Sequence, residues 1–316
     1  MSYTLPIHFA PLQGYTDATY RRAHAHIFGG IDTYYTPFVR MEHGEIRRKD
    51  IRDTNREYNL GVHLIPQLIA SKPDKLKQIM SFFIENRYKD ININLGCPFP
   101  MLVKRHNGAG MLPYPEEVKN LLTTIIENYP QIRFSIKLRL GWENTNECLT
   151  LLPLLNTLPL THIILHPRLG KQQYKGEVNL SGFENFYNEC DKPLLYNGDL
   201  HTIEDIQTVT ERFPKLAGLM IGRGLLSNPA LAWEYQQGEK LPLKEIIEKV
   251  RLLHTEVYNH YKEQLEGGEK QLLMKMKVFW EYLLPDSNHK AKKTIHKATK
   301  LTDYWIAINN LFSSYK

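Results

Sequence analysis

Residues 193–224 read PLLYNGDLHTIEDIQTVTERFPKLAGLMIGRG and contain one complete strand–helix–strand unit. The two continuous apolar runs, 193–197 and 218–222, are typical of parallel strands that are buried on both faces. Between them, Thr202 is followed by acidic residues, which is a usual start of a helix, and the helical pattern ends near Phe213. The unit therefore predicts a parallel sheet whose strands end in turns that contain glycine and charged residues.

The same alternation of β-rich runs and amphipathic stretches extends through residues 1 to about 235. Eight strands that alternate with helices over this length predict an α/β fold, a (β/α)8 TIM barrel. An open, doubly wound sheet remains an alternative, because the number of strands does not show whether the sheet closes. The predicted strands are 7–12, 33–38, 62–68, 90–95, 134–140, 162–166, 193–197 and 218–222.

The pattern changes after Pro229, where strand signals end and a 3.6-residue periodicity begins. We expect helices over 244–265, 272–284 and 290–315, and hence a small all-α domain after the barrel. The predicted boundaries are residues 1–240 for the barrel and 241–316 for the helical domain. Residues 270–316 hold nine lysines and three acidic residues, and so account for the formal net charge of +6. A basic region of this kind favours a polyanionic partner.

Several classes of protein are excluded by composition. No run of eighteen apolar residues is present, so we expect no membrane span, and the N-terminus lacks the charged and apolar regions of a secretory signal. The three cysteines, Cys97, Cys148 and Cys190, are too scattered for a disulfide framework and do not have metal-ligand spacing. We expect a cytoplasmic protein without a metal site.

Active sites of such barrels lie at the C-terminal ends of the strands, where this chain carries polar residues. Buried polar groups are costly unless they are partnered, so convergence on one ligand is the simplest interpretation. The glycine turns after the last two strands suit a phosphate, to which Arg223 adds a charge-assisted contact. Lys137 suits a delocalised anion such as a reduced flavin, and Gln67 and Asn197 suit a heterocycle edge or a ribityl chain.

Seven short segments occur in register at or near these strand ends, and together they resemble the tRNA-dihydrouridine synthase family. Each segment is weak evidence by itself, but their order and spacing are specific. They are Ala-Pro-x-x-Gly-x-Thr-Asp (10–17), Asn-x-Gly-Cys-Pro (94–98), Gly-Ala-Gly-Met-Leu (108–112), Lys-x-Arg (137–139), His-x-Arg (166–168), Asn-Gly-Asp (197–199) and Gly-Arg-Gly (222–224).

The resemblance implies an FMN cofactor, reduced by NADPH or NADH, and reduction of uridines in tRNA to 5,6-dihydrouridine. Hydride would pass from the flavin to C6 of uracil, and Cys97 would donate the proton to C5 because a thiol near its ordinary pKa is mostly protonated at neutral pH. Asn94 would contact the uracil. The residues implied in FMN binding are Pro11, Leu12, Gln13, Gln67, Lys137, His166, Asn197, Gly198, Asp199, Gly222 and Arg223.

Further substrate contacts are predicted at Arg139, at Tyr174, which would stack on or cover the base, and at Lys293 and Lys297. The two lysines are four residues apart, on one helix face, and would contact tRNA phosphates. An extended basic surface is needed because a base inside folded RNA must be extruded to reach the flavin. A monomer is expected, since the barrel mouth is open and RNA would occupy the helical tail, residues 241–316.

Three positions depart from the pattern of the family. Leu12 replaces the usual Met, Asn92 replaces the usual Asp, and Thr36-Pro37 replaces the usual Thr-Glu. The last two changes affect the expected substrate contacts more than the flavin site.

Two other functions are compatible with parts of the pattern. One is an FMN barrel oxidoreductase that acts on a free pyrimidine such as dihydroorotate, which would not need a basic helical tail. The other is a non-catalytic RNA-binding barrel, which would be colourless and would not need the set Cys97, Lys137 and Asn94.

Overall fold

The computed structural model describes residues 4–69 and 73–315. The first residues of the N-terminus and Lys316, the last of the nine tail lysines, lie outside this part of the chain. Within it, no helix combines the length and the apolar character needed to cross a bilayer.

A strand is present at each of the eight predicted positions, and the third is split in two. All strand pairs of the main sheet are parallel, and a short antiparallel hairpin that the sequence did not indicate lies outside it. The strands are β1 (Ile7–Phe9), β2 (Thr33–Tyr35), the hairpin β3 (Met41–Glu42) and β4 (Glu45–Ile46), β5 (Leu64–Ile65), β6 (Gln67–Ile69), β7 (Asp90–Leu95), β8 (Arg133–Gly141), β9 (Leu160–Leu169), β10 (Leu194–Tyr196) and β11 (Gly218–Ile221).

The barrel closes at Pro66. The order of the nine-stranded parallel sheet is β5-β2-β1-β11-β10-β9-β8-β7-β6, so β5 and β6 stand at its two ends. These two strands are consecutive in the chain and are separated only by Pro66, which has no N–H to donate to a neighbouring strand. Ile65 pairs with Tyr35 on one side, and Gln67 pairs with Asn92 on the other. The TIM-barrel prediction is confirmed, and the open-sheet alternative is wrong.

Helices surround the barrel and continue into the C-terminal segment. The α-helices are α1 (Ala18–Ile27), α2 (Arg48–Thr54), α3 (Pro73–Glu85), α4 (Pro100–Val103), α5 (Pro115–Asn128), α6 (Asn146–Thr157), α7 (Leu180–Glu189), α8 (Ile203–Arg212), α9 (Arg223–Ser227), α10 (Leu231–Gln237), α11 (Leu243–Gln264), α12 (Gly268–Phe279), α13 (His289–Lys297) and α14 (Leu301–Ser313). Short 3₁₀ turns occur at Arg56–Asn59, Gly108–Met111 and Gly170–Gln172.

Local capping explains where several of these helices begin and end. The Thr202 side chain accepts from the Asp205 N–H, and the Asp205 carboxylate accepts from the Thr202 N–H, which forms a capping box at the start of α8. Asp17 caps α1 through the Tyr20 N–H. Gly238 ends α10 in the left-handed conformation that favours glycine.

The barrel interior is filled by a small layer of buried side chains. Its apolar members are Ala10, Tyr35, Ile65, Ile164, Leu195 and Met220. The Tyr35 hydroxyl is hydrogen bonded to His8 Nδ1 and to His162 Nε2, both at 2.9 Å. Burial lowers the pKa of His8 to about 3 and that of His162 to about 4, so both rings are neutral at pH 7.

The helical tail packs closely on the barrel. One hydrophobic core runs from the sheet-facing side chains of the barrel helices into α11, α12 and α14. The Tyr261 hydroxyl donates to both Asp17 carboxylate oxygens at 2.9 Å, and Lys275 Nζ lies 2.8 Å from the same carboxylate. Since the core is continuous across residues 240 and 241, the division into two domains at that point stays a prediction.

Candidate active site

Two connected cavities occupy the C-terminal end of the barrel. The larger, about 1070 Å³, surrounds Cys97, and the smaller, about 500 Å³, surrounds Arg223. Every residue predicted to be catalytic or to bind the cofactor lines one of them, as do Asn94, Arg139 and Tyr174. The wall common to both consists of Pro11, Leu12, Lys137, His166 and Tyr174. The structure therefore brings residues of six of the seven sequence segments to one cleft, which these two cavities form, and the seventh segment, 108–112, packs behind Cys97.

The turn that carries Cys97 is clamped from two sides. Asn94 Oδ1 accepts from the Gly96 N–H at 3.0 Å and from the Cys97 N–H at 2.8 Å. The Ala109 N–H donates to the Cys97 carbonyl at 3.0 Å. Gly108 has a φ of +59°, and a Cβ there would lie 2.6 Å from the Cys97 carbonyl oxygen, so this position needs glycine. The segment 108–112 thus forms the wall behind the cysteine.

Burial raises the pKa of the half-buried Cys97 thiol, against a smaller opposing effect of a backbone hydrogen bond and of the cations Arg139 and Lys137. The thiol is therefore protonated at neutral pH, as a proton donor requires.

A chain of amide hydrogen bonds orients Gln67 beside this turn. Gln67 Nε2 donates to Asn92 Oδ1, and Asn94 Nδ2 donates to Gln67 Oε1, both at 2.7 Å. Asn92 Nδ2 donates in turn to Ser135 Oγ at 2.8 Å, and Thr36 Oγ1 accepts from the Gln67 N–H at 3.0 Å. Asn92, where the chain departs from the family pattern, acts here by holding the Gln67 side chain in one orientation, and Thr36 holds the Gln67 backbone.

Lys137 and His166 stand in the centre of the cleft. Burial and then the charge of Arg139 lower the pKa of Lys137 to about 7. Burial also lowers the pKa of His166 well below its ordinary value, and the surrounding cations lower it further. His166 is therefore neutral, while Lys137 is poised to gain a full charge when an anionic group comes near it.

An acid held between two arginines forms the far end of the smaller cavity. Asp199 pairs with the buried Arg168 and with Arg223, whose Nη2 lies 2.6 Å from Asp199 Oδ1. Burial tends to raise the pKa of Asp199, but the hydrogen bond and charge of Arg168, with the charge of Arg223, lower it overall. Asn197 Nδ2 donates to the Met220 carbonyl at 2.7 Å. Gly198 and Gly222 line this end of the cavity.

The Arg139 guanidinium donates hydrogen bonds to backbone carbonyl oxygens. Its Nε donates to Gly96 at 3.0 Å, and its Nη1 donates to Leu169 at 3.1 Å and to Gln173 at 2.7 Å. Arg139 thereby joins the Cys97 turn to the loop that carries Tyr174. The Tyr174 ring is 52% exposed and lies between the guanidinium groups of Arg139, at 5.5 Å, and Arg223, at 5.0 Å. The ring lines both cavities.

Lys293 and Lys297 are not part of the cleft. Both are exposed on α13, whose buried side is formed by Ile295. The cleft instead includes two aromatic residues that the sequence interpretation did not select, Tyr15 and Tyr282, which pack edge to face at 5.2 Å. Tyr15 directly follows the motif glycine at position 14, which was a usable signal. Tyr282 belongs to the helical tail, and nothing in its local sequence indicates the active site.

The chemistry of the cleft fits an elongated cofactor with an anionic end. Arg223 and a glycine-lined wall stand at one end, Lys137 stands in the centre, and the fixed amide of Gln67 stands at the other end. A phosphate suits the first end because it accepts charge-assisted hydrogen bonds. A polar ring system suits the second, since amides supply both donors and acceptors.

Comparison with known proteins finds relatives that match over most of the chain. The sequence model of the family described as Dihydrouridine synthase (Dus) matches residues 8–312. The chain is 24% identical to tRNA-dihydrouridine synthase B of Pasteurella multocida (strain Pm70), over 97% of this chain and 92% of that protein. It is 27% identical to the tRNA-dihydrouridine(16) synthase of Pseudomonas syringae pv. tomato, over 75% of this chain and 76% of that protein. Among solved structures, the old yellow enzyme from Trypanosoma cruzi shares the fold, with a TM-score of 0.51 at 11% identity, over 76% of this chain and 91% of that chain.

Proposed function

Because the chain belongs to the dihydrouridine synthase family, we propose that it reduces uridines of tRNA to 5,6-dihydrouridine, with FMN as its flavin and NADPH as the reductant. The observation that carries this proposal is the wall that the two cavities share. The thiol of Cys97 and the cationic end at Arg223 open into one cleft and share Lys137 and Tyr174 as wall residues. A free-pyrimidine reductase and a non-catalytic barrel are less well supported, since the chain has both the family sequence and the complete set of cleft residues.

Particular residues would hold the cofactor. Arg223, Asp199 and the glycines at 198 and 222 would surround its phosphate, with Asn197 close by. Lys137, Gln67 and His166 would contact its ring system, beside the turn formed by Pro11, Leu12 and Gln13. A flavin held by these residues would supply the hydride for the reduction of the uracil.

The protein itself supplies the proton. Cys97 holds it on Sγ, because burial keeps the thiol protonated, and would deliver it to C5 of the uracil. Asn94 holds the Cys97 turn through its side-chain oxygen and would offer its remaining amide hydrogen to the base. Arg139 keeps the Tyr174 loop against the same turn, so that the Tyr174 ring would cover the base and exclude water. The helical segment 241–316, with Lys293 and Lys297, would bind the tRNA backbone.

A spectroscopic experiment tests this function directly. The purified protein should absorb near 370 and 450 nm as flavoproteins do, lose the 450 nm band on anaerobic addition of NADPH, and regain it when unmodified tRNA is added. Bleaching that tRNA does not reverse, but a free pyrimidine does, would assign the chain to a small substrate. A protein that binds no flavin even when FMN is offered would contradict the proposed function.

A further inference from the structure

A third cavity, of about 670 Å³, lies where the barrel meets the helical tail. We call it the junction pocket. Its walls come from α1, α2, α11 and α12, and three of its lining residues are cations: Lys49 and Arg52 on α2, and Lys275 on α12. It is separate from the cleft that holds Cys97, and no role assigned to the cleft residues depends on it.

The acids of the junction pocket are already paired. Asp17 is bound by Lys275 at 2.8 Å and by the Tyr261 hydroxyl. Asp53 pairs with Arg21 at 3.4 Å and accepts from the Ala18 N–H at 2.6 Å. These contacts use the carboxylates within the protein and make them part of the packed interface between barrel and tail.

In the part of the chain that the structure describes, Lys49 and Arg52 differ from Lys275 in that neither is paired with an acid. Within residues 4–69 and 73–315, neither Lys49 nor Arg52 has a side-chain nitrogen within 4.0 Å of a carboxylate oxygen. Burial lowers the pKa of Lys49, and the charge of Lys275 lowers it further, while Asp17 and Asp53 act in the opposite direction. Keeping the Lys49 ammonium charged in this half-buried place is a cost to the folded protein, and an anion bound between Lys49 and Arg52 would reduce that cost.

A small intermediate cavity lies between the junction pocket and the active-site cleft and shares wall residues with both. Tyr15 and Tyr282 line both the cleft and this intermediate cavity. Tyr261 and Lys275 line both the intermediate cavity and the junction pocket. The cleft, the two aromatic rings and the three cations are thus neighbours along one side of the barrel.

From this arrangement we infer that the junction pocket binds a phosphodiester of the RNA whose base enters the cleft. The inference rests on the proposed function and adds a contact to it. A strand with one base in the cleft carries its phosphates outside, and Lys49 and Arg52 lie beyond Tyr15 and Tyr282, where a neighbouring phosphate of such a strand would come near them. Aromatic rings that alternate with cations are the usual surface for single-stranded nucleic acid.

The test compares the double variant Lys49→Gln/Arg52→Gln with the control Lys192→Gln/Lys215→Gln. The control removes two lysines that precede β10 and β11, at the opposite end of the barrel. Binding of labelled unmodified tRNA is measured for the flavin-loaded protein between 50 and 200 mM salt. Removal of one phosphate contact should weaken binding several-fold and reduce the slope of log K against log salt by roughly 0.7–0.9. The control should behave as the original protein does.

The possible outcomes separate the inference from the function. If the original protein reduces tRNA but the Lys49 and Arg52 substitutions leave the slope unchanged, the junction pocket does not hold a phosphodiester. If the original protein does not reduce or bind tRNA, the proposed function fails and the inference fails with it. Micromolar binding of inorganic phosphate at Lys49 and Arg52, seen by calorimetry and abolished in the double variant, together with an unchanged tRNA slope, would assign the pocket to a free anion. Thermal unfolding of both variants checks that they are folded.

Discussion

The side-chain oxygen of Asn94 accepts the backbone N–H of Cys97 at 2.8 Å, three residues further along the chain. The same oxygen accepts the Gly96 N–H, and the Asn94 amide nitrogen donates to Gln67. Asn94, near the end of β7, therefore sets both the direction of the Cys97 thiol and the orientation of the Gln67 amide. Chemistry at Cys97 should depend on Asn94 even if Asn94 never touches the substrate.

Asn94→Ala should lower dihydrouridine formation at least about fivefold, since an unmade hydrogen bond at a buried N–H costs about 1–3 kcal/mol and frees the turn. The freed turn should also let N-ethylmaleimide alkylate Cys97 faster than in the original protein. Asn94→Asp keeps the acceptor oxygen and should show a smaller change in alkylation rate. An alkylation rate that is the same in all three proteins would show that Asn94 does not position Cys97.

Cys97→Ala should keep the flavin spectrum and lower dihydrouridine formation by roughly 10²–10⁴-fold, the usual contribution of a positioned proton donor. Mass spectrometry of tRNA after reaction measures the product. Cys190→Ala is the matched control, because Cys190 is also half-buried but lies after α7, far from the cleft residues. Unchanged turnover in Cys97→Ala would rule out Cys97 as the acid.

Lys137 should make the stability of the flavin-free protein depend on pH. Burial lowers its pKa from 10.5 to about 7. The free-energy cost of the buried ammonium charge is therefore fully present below pH 7, and it is relieved as pH rises from 7 towards 10.5. Lys137→Met should therefore have a higher unfolding free energy than the original protein at pH 7. This difference should shrink by about 1.4 kcal/mol per pH unit between pH 7 and 9. Urea unfolding measures it.

The exposed residue Lys119, on α5, provides the control for this prediction, and Lys119→Met should give a difference that does not change with pH. A pH-independent difference for Lys137→Met would mean that Lys137 keeps its ordinary pKa in the folded protein.

Arg223→Ala should weaken FMN binding by roughly 10–100-fold, since a charge-assisted hydrogen bond contributes about 1.5–3 kcal/mol. Binding of riboflavin, which lacks the phosphate, should change little, and this difference separates a phosphate contact from general damage. Arg212→Ala, which breaks the exposed pair with Glu184, is the control. Equal losses for FMN and riboflavin would place the phosphate elsewhere. Fluorescence quenching of the flavin measures both affinities.

Lys293→Glu with Lys297→Glu should weaken tRNA binding. The slope of log K against log salt should fall by roughly 0.7–0.9 for each phosphate that these lysines neutralise in the original protein. Binding assays over a salt series measure the effect. Lys192→Glu with Lys215→Glu makes the same change of charge at the far end of the barrel and should leave the slope in place. If both double variants alter binding equally, only the net charge of the protein matters.

Most of the architecture was predictable because it depends on short-range patterns. The strand–helix–strand unit at 193–224, the helix start at Thr202 and the helical tail are all visible as local periodicity and capping residues. The polar strand ends pointed to one site, since parallel strands of a barrel present their C-terminal ends on the same face. The identity of the motif residues, from Asn94 to Arg223, was likewise contained in the sequence.

Closure, charge state and long-range contacts were decided only by the tertiary structure. The ring closes because Pro66 divides one strand between two neighbours, which no count of strands shows. The lowered pKa of Lys137 and the use of Arg139 on backbone carbonyls follow from burial among groups that are distant in the chain. Tyr282 reaches the cleft, and Lys275 reaches Lys49 and Arg52, because the tail packs on α1. Such proximity depends on how the whole chain is packed, whereas a sequence pattern records only each residue's near neighbours.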